Sequence, residues 1–278
     1  MLTNFLWEQG ALGVVEEQSA GHRPSLRAFF SEAVPASTLE SRVRAYLGSL
    51  EALGLAVPAA PSIGALADGN WAEAWREHFR PLAVGRRLLV APPWDVPHAP
   101  QRLVLIIDPG RAFGTGHHGT TAGCLEVLER ALDGEPFESA IDLGTGSGIL
   151  AVAAARLGVS RIVAVDEDPD AIAAAAANAE LNGVAARISP RLGDAAVLDL
   201  TPTPLVLANL LTAAHLKMAP RYRRLLAPGG TLVLGGIVDG EAAGVSEVMR
   251  AEGFAHTETR SIDGWSTLGF RAPVHHRA

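Results

Sequence analysis

The sequence predicts an α/β fold in which a doubly wound, mostly parallel sheet follows a small N-terminal α+β unit. From Leu103 onward, apolar runs of strand length alternate with helical patterns, as expected for a parallel sheet covered by helices on both faces. A glycine-rich turn, Gly144-Thr-Gly-Ser-Gly148, follows one of these strands and precedes a helix. The 278 residues, 48% of them apolar, suffice for one large or two modest domains.

Composition narrows the function classes. A single cysteine, Cys124, excludes an internal disulfide and a cysteine-built zinc site. No apolar stretch approaches the roughly 18 residues of a membrane span, and the N-terminus lacks the basic start of a signal peptide, so we expect a cytoplasmic protein without a membrane partner. The net charge of −7 argues against direct nucleic-acid binding. We also expect a monomer.

Three segments are predicted: residues 1–55, 56–95 and 96–278. In the first, apolar residues recur at helical spacing over Ser37–Leu53, which predicts a helix within a small α+β domain. Ala56–Ser62 is a linker rich in proline and alanine. It precedes a predicted connecting helix at Trp71–Phe79, for which Asn70 is a plausible N-cap, and a strand at Arg86–Ala91.

The third segment supplies the main sheet. Strands are predicted at Leu103–Ile107, Ala140–Leu143, Arg161–Val165, Arg187–Leu192, Leu205–Ala208, Thr231–Gly235, Ala255–Ser261 and Ser266–Arg271. Helices are predicted at Thr121–Leu132, Gly148–Leu157, Pro169–Asn182, Thr212–Leu226 and Glu241–Glu252. Asp168 is a predicted N-cap, with Pro169 at the first helical position. The turn Asp263-Gly264 predicts a hairpin, so the sheet should end with an antiparallel strand.

The glycine turn predicts a nucleoside site. Glycines let the backbone approach a ligand closely, and Asp166, at the end of the next strand, can hold both hydroxyls of a ribose. A dinucleotide fingerprint requires its third glycine at position 149, which is Ile149 here. The observed Gly-x-Gly-x-Gly spacing after Asp142 instead resembles the first motif of class I S-adenosylmethionine-dependent methyltransferases, which implies S-adenosylmethionine as the cofactor.

Polar residues also follow other predicted strands. Gly144, Asp166, Asp194 and Asn209 lie at or just past strand ends, where ligands bind in open α/β sheets. We therefore expect all four to contact the cofactor. An equally good explanation for Asp194 is that its side chain caps the segment that follows.

A second glycine-rich motif precedes the first: Asp108-Pro-Gly-Arg-Ala-Phe-Gly-Thr-Gly-His-His-Gly-Thr-Thr121. It predicts a flexible flap that ends at a helix N-terminus, where N–H groups and the hydroxyls of Thr120 and Thr121 can bind an anion such as the methionine carboxylate of the cofactor. The adjacent His117 and His118 do not share a helix face and have no acidic partners nearby in sequence. We therefore expect no metal.

These two motifs, together with Val165-Asp-Glu-Asp-Pro-Asp170, Ala208-Asn-Leu-Leu211 and Asn70-Trp-Ala-Glu-Ala-Trp-Arg76, resemble the ribosomal protein L11 methyltransferases. The resemblance implies a Rossmann-like class I methyltransferase domain, with Thr121, Gly144, Asp166 and Asn209 as cofactor contacts and residues 113–115 as a mobile loop. It also implies a ferredoxin-like substrate-recognition domain, and we expect this sequence to enter that domain near its first helix, without most of the family's first strand.

The residues after Asn209 indicate the substrate. Methyltransferases that act on planar amide or exocyclic amino nitrogens usually have Asn-Pro-Pro-Tyr at this place. This chain has Asn209-Leu-Leu211 instead, which favours an aliphatic amine such as lysine as the substrate. Lysine must lose a proton before attack, at a cost of roughly 4 kcal/mol at neutral pH. The sequence identifies no catalytic base, although His117 and His118 are candidates. The alternatives are methylation of another protein or of a small molecule, and a non-catalytic cofactor-binding module associated with the ribosome.

Overall fold

The computed structural model describes residues 2, 5, 6, 9–11, 13–17, 25–30, 34–52, 61–64, 79–109, 119–134 and 137–274. The chain divides into two compact units, Met1–Arg80 and Pro81–Ala278. Most of the predicted linker, and all but Phe79 of the predicted helix at Trp71–Phe79, lie outside the described residues. No helix within the described ranges is long and apolar enough to cross a membrane.

In the first unit, a helix packs its apolar face into a small core. Strands β1 (Gly13–Glu17) and β2 (Ser25–Phe29) pair in antiparallel fashion. Helix α1 (Ala36–Ala52) matches the helix predicted from its apolar spacing. The helix contributes four buried residues to this core, and the segment before β1 contributes two; they are Leu39, Val43, Leu47 and Leu50 from the helix, and Leu6 and Ala11.

The second unit begins with a three-stranded sheet of its own. Strand β3 (Leu82–Val84) pairs antiparallel with β4 (Leu88–Ala91), which pairs parallel with β5 (Leu103–Ile106). The expectation that Leu103–Ile107 belongs to the main sheet was therefore wrong. The reason is that β5 pairs with the edge of the β3–β4 hairpin, while the side chain of Asn182 binds the backbone N–H and carbonyl of Ile106.

The main sheet has seven strands. Its elements in chain order are α2 (Gly119–Gly134), β6 (Ser139–Leu143), α3 (Ile149–Arg156), β7 (Arg161–Asp166), α4 (Pro169–Leu181), β8 (Ile188–Leu192), β9 (Thr203–Asn209), α5 (Thr212–Leu225), β10 (Leu226–Val238), α6 (Ala242–Ala251), β11 (Ala255–Ile262) and β12 (Trp265–Arg271). The spatial order is β11-β12-β10-β9-β6-β7-β8. This confirms the predicted α/β class.

The predicted hairpin is present at the end of the chain. Ile262 pairs with Trp265 across Asp263 and Gly264, and both turn residues have positive φ (51° and 82°), as a two-residue primed turn requires. Strand β12 is antiparallel to both of its neighbours. The expected antiparallel strand therefore exists, but it lies one position inside the edge, which is formed by β11.

The direction in which successive strands are added to the sheet reverses between β8 and β9. From β6 the chain proceeds outward through β7 to β8 and then returns to the other side of β6 as β9. All of these strands are parallel, so their carboxyl ends lie at one edge of the sheet. Such a reversal opens a crevice between adjacent strand ends, which is where doubly wound proteins bind ligands.

Candidate cofactor-binding site

The glycine turn lies at the crevice, directly after β6. Gly144, Gly146 and Gly148 all have positive φ, of 67°, 53° and 80°, a conformation that other residues adopt only with strain. A Cβ on Gly144 would lie 2.3 Å from the side chain of Leu210 after β9, and one on Gly148 would lie 2.9 Å from the backbone of Ala175 in α4. The positive φ therefore favours glycine at all three positions, and at Gly148 the backbone of α4 also leaves no room for a side chain.

Most backbone N–H groups of the turn are bound within the protein. Those of Gly144 and Thr145 donate to the carbonyl of Val165 (2.9 and 3.0 Å). The N–H of Gly146 donates to Oδ2 of Asp166 (2.9 Å), and that of Gly148 donates to the carbonyl of Thr145 (2.8 Å). A pyrophosphate needs several free N–H groups, so this arrangement suits a nucleoside ligand without phosphates.

Asp166 lies where the sequence predicts it, at the carboxyl end of β7 and half-buried. Its Oδ2 accepts from Gly146, and its Oδ1 accepts from the N–H of Asp168 (3.1 Å). An ionised carboxylate has about four acceptor positions, so two remain for the vicinal hydroxyls of a ribose. The predicted N-cap Asp168 is also confirmed, because its side chain accepts from the N–H of Asp170.

Asp142 has a structural role that the sequence motif did not reveal. Its buried Oδ2 accepts from the hydroxyl of Thr145 (2.6 Å) and from the N–H of Ala151 in α3 (3.2 Å). Burial raises the pKa of this carboxyl to about 7, although both hydrogen bonds act in the opposite direction. Its Oδ1 is buried without a hydrogen-bond partner in the described structure. The carboxyl thus joins the glycine turn to the start of α3, with one oxygen still to be satisfied.

Thr121 and Asn209, two of the predicted cofactor contacts, lie within hydrogen-bond distance of each other. Nδ2 of Asn209 donates to the hydroxyl of Thr121 (3.4 Å), and Oδ1 accepts from the hydroxyl of Thr120 (2.7 Å). Thr120 also accepts from the N–H of Gly236 in β10. The amide of Asn209 is therefore oriented by the first turn of α2, where the second glycine-rich motif ends.

Asp194 acts as a local cap. It is exposed after β8, and its Oδ1 accepts from the N–H of Ala196 (2.8 Å). The guanidinium of Arg221 in α5 donates to the carbonyls of Ala195 and Leu198 and so fixes the same segment. This geometry is that of the capping alternative, while a contact between Asp194 and the cofactor stays a prediction.

His215 was not identified from the sequence. It is fully buried in α5, and its Nε2 donates to the carbonyl of Gly235 (2.7 Å), so its Nδ1 accepts from the hydroxyl of Tyr222 (2.8 Å). The same carbonyl accepts from the N–H of Leu210 (3.2 Å). Burial lowers the pKa of His215 to about 4. A neutral histidine thereby helps to fix the segment that follows Asn209.

The described residues fit an adenosyl cofactor. The glycine turn after β6, the half-buried carboxylate of Asp166 after β7 and the oriented amide of Asn209 after β9 all lie at the carboxyl ends of neighbouring parallel strands. The predicted loop at residues 113–115, with His117 and His118, lies outside the described residues.

Comparisons with known proteins agree with one another. Residues 2–273 match the family model described as "Ribosomal protein L11 methyltransferase (PrmA)". Two curated relatives carry that protein name. The one from Trichlorobacter lovleyi is 44% identical over 72% of this chain and 67% of its own length, and the one from Geotalea uraniireducens is 35% identical over 98% and 93%.

A solved structure is also similar. The ribosomal protein L11 methylase from Lactobacillus delbrueckii subsp. bulgaricus is 28% identical, with a TM-score of 0.64 that covers 70% of this chain and 100% of the other. This likeness supports the fold described above.

Proposed function

The chain belongs to the ribosomal protein L11 methyltransferase family, and on that premise we propose that it transfers methyl groups from S-adenosylmethionine to amino groups of ribosomal protein L11. The observation that carries the proposal is the glycine turn, whose N–H groups are bound internally and which adjoins the carboxylate of Asp166. This arrangement suits an adenosyl group and not a dinucleotide. The family match supplies the reaction and the substrate.

The proposed cofactor contacts are Thr121, Gly144, Asp166, Asp194 and Asn209. Asp166 accepts from the ribose hydroxyls, and Gly144 allows the cofactor to approach the backbone at the end of β6. Asn209 and Thr121 lie on the opposite side of the β6–β9 crevice, next to the N-terminus of α2. That terminus favours a negative group such as the methionine carboxylate.

The proposed chemistry is transfer to a neutral amine. The bound cofactor supplies a methyl group that its sulfonium already activates. The remaining tasks of the protein are to align the amine and to accept its proton, since a free lysine is protonated at neutral pH. We propose that the amide of Asn209, whose hydrogen bonds to Thr120 and Thr121 fix its orientation, also helps to position the amine.

The segment after β9 supports an aliphatic amine as the substrate. Leu211 directly follows Asn209-Leu210, and its side chain is 69% exposed. An exposed leucine offers an apolar contact for the methylene chain of a lysine, whereas a planar amide would require a flat slot. We further propose that the protein acts in the cytoplasm as a monomer and that it does not bind nucleic acid directly.

Methylation with purified components tests the function. The full chain is incubated with radiolabelled S-adenosylmethionine and ribosomal protein L11, and mass spectrometry locates the label. We expect label on lysine side chains or on the N-terminal amine. Label on a glutamine amide would refute the amine assignment. Binding of the cofactor without any transfer would indicate a non-catalytic module, and transfer to other proteins or small molecules but not to L11 would indicate a different substrate.

A further inference from the structure

One face of α4, together with the residue that caps its C-terminus, packs against the glycine turn and β5 and includes two buried asparagines. The buried residues recur at helical spacing and are Ala171, Ala175, Asn178, Ala179 and Asn182. Buried amides require hydrogen-bond partners, because an unsatisfied one costs about 1–3 kcal/mol. The partners of the two asparagines differ in a way that distinguishes their roles.

Asn178 connects the two glycine-rich motifs. It is 1% exposed; its Nδ2 donates to the carbonyl of Ser147 in the glycine turn (2.8 Å), and its Oδ1 accepts from the N–H of Asp108 (2.9 Å). Asp108 is the first residue of the second motif. The side-chain amide of Asn178 therefore connects the glycine turn to the start of the segment that leads to α2.

Asn182 lies one helical turn further along and binds a different set of atoms. Its Oδ1 accepts from the N–H of Ile106 (2.9 Å), and its Nδ2 donates to the carbonyls of Ile106 (2.6 Å) and Asn178 (2.7 Å). These bonds hold β5 against α4. They do not reach the glycine turn, so Asn182, the C-cap of α4, provides a comparison of the same residue type one helical turn away from Asn178.

We propose that Asn178 is a positioning residue that holds the glycine turn in its cofactor-binding conformation. The proposal rests on the proposed function, since it assumes that the turn binds S-adenosylmethionine. The carbonyl of Ser147 belongs to the peptide that precedes Gly148, whose φ of 80° is one of several alternatives open to a glycine. Fixing that carbonyl selects one conformation, so the cofactor does not have to order the turn when it binds.

Binding of S-adenosylhomocysteine, the product of the cofactor, tests the proposal. Calorimetry on the full chain should show that Asn178→Ala weakens affinity about tenfold or more, while Asn182→Ala stays within about threefold. Both variants should lower the melting temperature, because each removes buried hydrogen bonds. Hydrogen exchange at Gly146–Gly148 should be faster in Asn178→Ala alone.

A second pair of variants keeps the test independent of folding. Asn178→Asp retains the acceptor for Asp108 but loses the donor to Ser147, and Asn182→Asp is its match. We expect weaker binding in the first of this pair only. Equal losses at both positions, or none at Asn178, would overturn the proposal. Failure of the parent chain to bind S-adenosylhomocysteine would instead overturn the proposed function.

Discussion

Replacing Asp166 should weaken cofactor binding without unfolding the protein. If its carboxylate accepts from two ribose hydroxyls, each charge-assisted bond contributes about 1.5–3 kcal/mol. Part of that loss is recovered when water binds the freed hydroxyls, so we expect Asp166→Ala to reduce affinity by at least about tenfold. The variant also frees the N–H of Gly146, which is half-buried next to solvent, and this adds a smaller penalty.

Two further variants separate these contributions. Asp166→Asn keeps an oxygen that can accept from Gly146 but loses the charge, so its affinity should lie between those of the parent and of Asp166→Ala. Asp168→Ala removes an equal charge two residues away and also a helix cap, which costs about 0.5–2 kcal/mol of stability. Because the side chain of Asp168 binds the N–H of Asp170 in α4, its removal should change affinity by less than about threefold.

Calorimetric titration with S-adenosylhomocysteine measures these affinities, and thermal unfolding of the same samples measures stability. The expected pattern is a stable Asp166→Ala variant with weak binding and a less stable Asp168→Ala variant with nearly normal binding. Unchanged affinity in Asp166→Ala would refute the ribose assignment. Equal losses in both variants would show that general charge, and not a specific contact, attracts the ligand.

Four other outcomes are expected. The pKa of Asp142 is raised from 3.8 to about 7, so its contribution to the free energy of unfolding falls as pH rises between these values. The fall is at most about 1.4 kcal/mol per pH unit. Urea titrations at several pH values should show that Asp142→Asn abolishes it. The pKa of His215 is lowered from 6.5 to about 4, so its contribution to the free energy of unfolding is complete above pH 6.5 and is lost as pH falls towards 4. His215→Gln should remove this loss. If either variant showed the same dependence of the free energy of unfolding on pH as the parent, the corresponding pKa assignment would be contradicted. Thr120→Val leaves Oδ1 of Asn209 without its donor and should lower kcat/KM for methylation about tenfold in steady-state assays, whereas an unchanged value would exclude a role in orienting that amide. A fragment of residues 81–278 should bind S-adenosylhomocysteine in calorimetry but should not methylate ribosomal protein L11; full activity would exclude recognition by the N-terminal unit.

Local signals predicted most of the elements around the site. Helix α4 begins at Pro169 as expected, because Asp168 and Pro169 fix its first turn without any distant contact. The helix ends at Leu181, one residue before the predicted end, and Gly183 has the positive φ of a helix stop (65°). The position of Asp166 followed in the same way, since it depends only on where an apolar strand ends.

Pairing between distant segments was not predictable in this way. The apolar run at Leu103–Ile106 reads as a strand, but nothing in it shows which sheet it joins. Its pairing with β4 and its contacts with Asn182, 76 residues away from Ile106, depend on the fold. The role of His215 could not be predicted for the same reason, because its hydrogen-bond partners are a tyrosine on the same helix and a carbonyl 20 residues away.

The alanines of α4 show how one residue type can satisfy two requirements. From the sequence alone, residues 171–177 are explained by helix propensity, which alanine satisfies best. In the structure, Ala175 faces Gly148 so closely that a Cβ on the glycine would overlap the helix backbone. A larger residue at position 175 would push α4 away and withdraw Asn178 from Ser147. Helix propensity therefore explains why the segment is helical, and the small size of alanine explains why this helix can approach the glycine turn so closely.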